Sequence, residues 1–310
     1  RMGLARALLL KGSESRWLAD QLSRRRFVRR ATTRFMPGES MDDALEAARS
    51  LGEIGITSIL TLLGENVDDV EAATDVTEEL TALLDRSAES HLDMDISVKP
   101  THVGLDLGFE VAERYLSTLA GAAARFGRLV AVDMESTRYC DPTLDLYRVL
   151  RSEHDNVGIC LQSYLYRSDA DLEELLDLSP MIRLVKGAYK EPADLAYPKK
   201  ADVDDSYLRL SEAMLEAARD GKARVAFGTH DAVMIAEINR RAADMKCPRE
   251  TFEFQMLYGI ERDLQTRLAE SGYRVRVLIS YGAYWFPWYM RRLAERPANV
   301  GFVLRSMLRG

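Results

Sequence analysis

The chain has 310 residues, 47% hydrophobic and 29% charged, the composition of a globular protein large enough to bury one substantial core or two small ones. Its 42 basic against 49 acidic residues leave a net charge of −7, which excludes a generally basic nucleic-acid binder. Three cysteines, far apart and without a CxxC pair, exclude a disulfide framework or zinc ribbon, and with four histidines in the whole chain no metal site is expected.

Residues 1–40 read as a basic helical arm, because Arg24, Arg25, Arg26, Arg29, Arg30 and Arg34 fall within eleven positions. A solvated helix face is the plain reading of that run, and contact with anionic lipid or a partner is the functional one. Leu8-Leu9-Leu10 is too short for a secretory h-region, and no apolar run is long enough to span a bilayer. The expected location is a reducing cytoplasm, with peripheral contact at the inner face of the membrane.

From residue 41 to 310 one pattern repeats. Short apolar, β-prone runs occur at 57–63, 95–98, 129–133, 157–161, 182–185, 224–228, 252–256 and 274–279. Between them lie helical periodicities such as Val70, Ala73, Leu80, Leu84, and Val111, Tyr115, Leu119, Ala122, Phe126, the second closed by Gly127 as a left-handed cap. Helix starts are expected at Ser40 with Asp43, at Asp141 before Pro142, and at Ser168 before Asp169. Eight strands alternating with helices predict a (β/α)8 barrel of the TIM type. A doubly wound sheet competes, but its glycine-rich phosphate turn, GxGxxG or GxxxxGK[ST], does not occur.

In such a barrel the chemistry sits at the C-terminal strand ends. Those ends carry Glu65, Lys99, Asp133 with Glu135, Gln162, Arg183 with Lys186, Thr229-His230-Asp231, Gln255 and Tyr281. One polar residue there is usually a cap or turn; eight in register point to a site. Arg183 lies inside the apolar run 181–185, on the face opposite Leu184, where it either pairs with a buried carboxylate or meets an electron-rich ligand. Gly187 after Lys186 allows close backbone approach to a flat or phosphorylated ligand, and Thr229-His230 suit phosphate or ribose contacts. The last helix, 284–296, begins with Trp285, Phe286, Trp288 and Tyr289 and carries Arg291, Arg292 and Glu295. It is either a salt-bridged surface helix or an aromatic lid aiming two guanidinium groups at a carboxylate.

These strand-end residues resemble those of the proline dehydrogenase family. The similarity runs over most of residues 30–308, through Arg34 to Glu39, Leu62 to Glu65, Ser97 to Lys99, Val132 to Glu135, Gly158 to Tyr164, Arg183 to Tyr189, Gly228 to Asp231, Phe252 to Leu257 and Met290 to Asn299. The run Arg291 to Asn299 is similar to the monofunctional bacterial type. The resemblance implies a distorted (β/α)8 barrel with its last helix over the mouth, and FAD held by Met134, Gln162, Arg183, Lys186, Gly187, Ala188, Thr229 and His230. It further implies that Lys99, Arg291 and Arg292 bind the substrate carboxylate, that Glu65 gates the site with Arg291, and that Asp133 and Arg183 are the catalytic pair. The implied reaction is oxidation of L-proline to Δ1-pyrroline-5-carboxylate by hydride transfer to flavin N5, with a membrane quinone as electron acceptor. One segment departs from the family: Leu278 stands where a tyrosine packs on the substrate ring and Ser280 where a proline is usual, so 4-hydroxyproline and pipecolate are alternative substrates.

Two readings of other classes remain at this level. A Schiff-base aldolase would use Lys99 or Lys186, a lysine ringed by cations losing its proton readily. A binding module would rely on the arginine-rich arm alone.

Overall fold

A computed structural model of the chain describes residues 35–285, and within them eight parallel strands close into a barrel in sequence order, as the repeat predicts. The strands are β1 (Thr57–Leu62), β2 (Met94–Val98), β3 (Val130–Val132), β4 (Val157–Gln162), β5 (Met181–Val185), β6 (Arg224–Gly228), β7 (Phe252–Leu257) and β8 (Arg274–Tyr281). Helix α1 (Met41–Gly52) precedes β1. Helices α2 (Val70–Glu89), α3 (Phe109–Ala124), α4 (Cys140–Glu153), α5 (Ser168–Leu176), α6 (Lys200–Arg219), α7 (Ala232–Asp244) and α8 (Arg262–Glu270) fill the seven crossovers. The arginines of residues 24–34 and most of the helix expected at 284–296, Arg291 and Arg292 included, lie outside the described residues.

The local signals act largely as expected. Ser40 and Asp43 form a reciprocal capping box at the start of α1, with Asp43 N–H on Ser40 Oγ at 3.1 Å and Ser40 N–H on Asp43 Oδ2 at 3.2 Å. Gly127 adopts φ +64, and Arg128 N–H returns to the Ala123 carbonyl at 3.0 Å to close α3. Two expected caps are corrected. Helix α4 begins at Cys140, so Asp141 sits within the first turn, where its charge favours the helix N-terminus without capping it. Ser168 is already helical, and its hydroxyl donates to the Gln162 carbonyl at 2.6 Å, tying α5 to the end of β4. In α2, Ala73, Leu80 and Leu84 are buried as the periodicity requires, whereas Val70 is 48% exposed because it opens the helix beyond the barrel rim.

Strand register decides which residues meet. Outward positions such as Ile96, Val98, Ile182, Leu184, Phe227, Phe254 and Val277 pack beneath the helices and form the main core. Inward positions of β3, β4 and β6 are small, namely Ala131, Gly158, Cys160 and Ala226. That leaves interior volume for long polar side chains from β5, β7 and β8, in place of the branched apolar layers usual in such barrels. Arg276 pairs there with Asp95 and with Glu253, each at 3.0 Å, and donates to the Ser58 carbonyl at 3.1 Å. Gln255 donates to Glu253 at 2.6 Å and accepts from Arg183 at 3.3 Å. A continuous polar chain thus runs up the barrel axis from its base to Arg183.

Candidate active site

At the C-terminal end of the barrel, Asp133 after β3 meets Arg183 of β5, and Lys99 follows the end of β2 beside them in the strand order. Alternation sets the faces: Asp95, Ser97 and Lys99 share one face of β2, and Ser97 is registered against Ala131, two residues before Asp133. Arg183 is buried and ion-paired to Asp133, and it donates to Ser97 Oγ at 3.1 Å; Ser97 in turn donates to Asp133 Oδ1 at 2.7 Å. The carboxylate that Arg183 pairs with, Asp133, is half-buried. Lys99 Nζ lies 3.1 Å from the Gly64 carbonyl and 3.5 Å from Glu65 Oε2, so the loop after β1 is bound across to the end of β2.

The neighbouring strands supply a more varied rim. Gln162 is buried at the end of β4; its Nε2 donates to the Glu135 carbonyl at 2.7 Å, while its buried Oε1 has no hydrogen-bond partner among the described residues. Met134 is buried beside it in the β3 connection. Beyond β5, Lys186 Nζ contacts Asp204 on α6 at 2.5 Å and Asp231 at 3.5 Å, the latter being the N-cap of α7. Thr229 Oγ1 accepts the Asp231 N–H at 3.1 Å, and His230 Nε2 accepts the Leu257 N–H at 2.7 Å, which ties the β6 loop to β7. Gly187 has φ +118, and a Cβ there would stand 2.3 Å from the Tyr164 ring. The glycine is therefore required first by Tyr164, and Ala188 after it is exposed at the rim. Leu278, half-buried, is registered against Ile59 and shares its inward face with Arg276 and Ser280; Tyr281 points the other way, beside Glu79 of α2.

The aldolase reading requires a lysine ringed by cations; among the described residues the ion-pair partner of Lys99 is Glu65, and those of Lys186 are Asp204 and Asp231.

Comparison with known proteins agrees with the barrel. The family model for proline dehydrogenase matches residues 44–305. The chain belongs to the proline dehydrogenase family. It is 41% identical over 300 residues to the proline dehydrogenase of Deinococcus radiodurans, covering 94% of each chain. It is 37% identical over 282 residues to proline dehydrogenase 1 of Bacillus subtilis (strain 168), covering 91% of this chain and 92% of that one. A crystal structure of proline utilization A from Bdellovibrio bacteriovorus inactivated by N-propargylglycine superposes with a TM-score of 0.81 at 25% identity, over 86% of this chain and 33% of the longer one. This chain thus spans about a third of that protein's length, and more than nine-tenths of the length of the Deinococcus and Bacillus proteins.

Some residues at this mouth of the barrel give no separable signal in the sequence. Glu135 appears there only as one strand-end residue among others. In the structure both its carboxylate oxygens are taken by Thr101, from N–H at 3.0 Å and from Oγ1 at 2.7 Å. Burial pushes its carboxyl up to about 7, against the pull of the Thr101 donors and Lys99. His102, in the short 3-10 turn Pro100–Val103, is driven down to about 4 by burial and by Lys99. Its ring occupies the space where a side chain on Gly64 would be, a Cβ there falling 2.0 Å from Nε2. A single histidine near a strand end carries no pattern from which this could be read.

Proposed function

We propose that this proline dehydrogenase oxidises L-proline to Δ1-pyrroline-5-carboxylate at the C-terminal mouth of the barrel, with FAD as its cofactor and a membrane quinone as final acceptor. The observation that supports it best is the Arg183–Asp133 ion pair on the inward face of the barrel, with Lys99 at the end of β2. FAD, when bound, supplies the hydride acceptor at N5 and passes the electrons on to the quinone.

The residues present fit that cofactor. Gln162 Oε1 is a buried acceptor in need of a donor, and a flavin ring edge offers one. Met134 would give the cofactor an apolar contact, Arg183 a buried cation able to stabilise negative charge, and the run Lys186-Gly187-Ala188 with Thr229 and His230 a polar rim for its polar and phosphate groups. Asp133 fixes the Arg183 guanidinium, so its charge is held in place before reaction begins. Lys99, with Arg291 and Arg292, would neutralise and orient the substrate carboxylate, and Glu65 would pair with Arg291 as the gate. Leu278 forms the apolar wall at the substrate ring, which leaves 4-hydroxyproline and pipecolate as secondary substrates. Among the described residues no helix is long and apolar enough to cross a membrane, and the arginines of residues 24–34 are the segment suited to a peripheral contact at its inner face.

The test is the visible spectrum of the purified protein. A flavin absorbance that bleaches on anaerobic addition of proline is expected. A colourless protein that takes up no FAD would refute the proposal. Arg292→Ala is expected to raise KM for proline, losing on the order of 2–4 kcal/mol in kcat/KM.

A further inference from the structure

We propose that Glu135 is a positioning residue for substrate binding, acting at a distance on the Lys99 ammonium through its clamp on Thr101. The proposal rests on the assignment of Lys99 to the substrate carboxylate made above.

Strand β2 ends at Val98, and Lys99 is followed at once by Pro100, which opens a single 3-10 turn and brings no N–H of its own. Within that turn His102 N–H returns to the Lys99 carbonyl at 3.0 Å, so the direction in which Lys99 leaves the barrel depends on how the turn is held. The holding comes from outside. Glu135, at 3% exposure in the connection after β3, receives both Thr101 donors, one on each carboxylate oxygen. Its own carbonyl is pinned by Gln162 Nε2 from β4, which fixes the clamp to the barrel.

The same threonine carries the loop after β1. Asn66 N–H donates to Thr101 Oγ1 at 3.1 Å, and Val67 N–H to the Thr101 carbonyl at 3.2 Å. That loop contains Gly64 and Glu65, the two groups against which Lys99 Nζ rests. Glu135 therefore sets the lysine and its anchors together, while its carboxylate is fully engaged by Thr101. Gly64 backing onto His102 adds a steric interlock between the two loops. A carboxylate buried on two neutral donors is costly for the fold, and an apolar residue would fill the volume more cheaply. Its effect falls on Lys99.

The experiment uses the flavin-loaded enzyme, with KM and kcat for proline measured against a soluble quinone analogue. Glu135→Ala should raise KM for proline about tenfold with kcat and flavin content changed by less than about threefold, the pattern of lost ground-state binding. Glu135→Gln, which keeps one acceptor and can donate to Thr101 Oγ1, should restore KM to within about threefold of the parent. Should Glu135→Ala prove insoluble, Thr101→Val removes one arm of the clamp at constant shape and should raise KM in the same direction. The deciding measurement is the double variant Lys99→Met with Glu135→Ala, whose KM should equal that of Lys99→Met alone. An equal multiplication of KM by Glu135→Ala in both backgrounds overturns the proposal, as does an unchanged KM in Glu135→Ala. An unchanged KM in Lys99→Met overturns it too, and that result removes Lys99 from substrate binding, whereas the first two leave Lys99 in its role.

Discussion

Replacing Arg276 by methionine removes the shared counter-ion of the barrel's polar axis while keeping most of its volume. Arg276 is 4% exposed and pairs with Asp95 and Glu253, each at 3.0 Å. In its absence two buried carboxyls remain, with Arg224 at 3.9 Å from Glu253 as a more distant cation. Removing one partner of a buried pair costs on the order of 3–5 kcal/mol. At roughly 2–4 °C per kcal/mol for a domain of this size, the thermal midpoint should fall by roughly 6–20 °C. The pH dependence has a definite sign. Burial pushes Glu253 upward, but Arg276, Gln255 and Arg224 outweigh it and hold its carboxyl below the ordinary value; for Asp95 burial wins over the same arginine and the carboxyl sits above it. A depressed carboxyl contributes stability that is present above its unfolded value and lost as pH falls through the folded one. Without Arg276, burial is opposed only by the weaker pull of Arg224, Gln255 and the Leu129 N–H, so both carboxyls rise and the penalty on their charged forms is relieved by protonation. The deficit of Arg276→Met should therefore be widest near neutrality and narrow as pH falls toward about 4. Thermal melts of the flavin-loaded enzyme, followed by circular dichroism across that range, measure it. A midpoint within about 2 °C of the parent at neutral pH, or a deficit that widens on acidification, would refute the reasoning.

Leu278→Tyr should raise the ratio of kcat/KM for proline over 4-hydroxyproline by roughly 1–3 kcal/mol, and an unchanged or lowered ratio removes Leu278 from the substrate wall. Gly187→Ala forces a Cβ against the Tyr164 ring at φ +118, which should cost on the order of 1–3 kcal/mol and lower the flavin content on purification; full flavin content would show that the loop has room. Glu135, raised to about 7 chiefly by burial, stabilises the fold in its protonated form, and that contribution is lost as pH rises from the unfolded value through about 7. Glu135→Gln should therefore gain on the parent by on the order of 3 kcal/mol between acid and mildly alkaline pH, read from urea midpoints, and parallel pH profiles would contradict it.

The eight strands and the inward position of Arg183 are legible without any structure, because a strand between helices and a barrel interior must alternate two environments along its own length. Ser40 with Asp43 and Gly127 were equally legible, since a cap is settled by residues three or four positions apart. Asp141 and Ser168 show where that locality stops: both residue types serve caps, first turns and tertiary bonds alike, and the end of β4 claimed the Ser168 hydroxyl. Gly187 was readable as special, yet its reason, the Tyr164 ring, comes from another strand end. The pairing of Arg183 with Asp133, of Lys99 with Glu65, and of Glu135 with Thr101 was decided by closure of the barrel alone. Hydrogen bonds and ion pairs act over about 3–4 Å, while these partners stand some 34 to 50 positions apart in the chain, so only the strand register could bring them within reach.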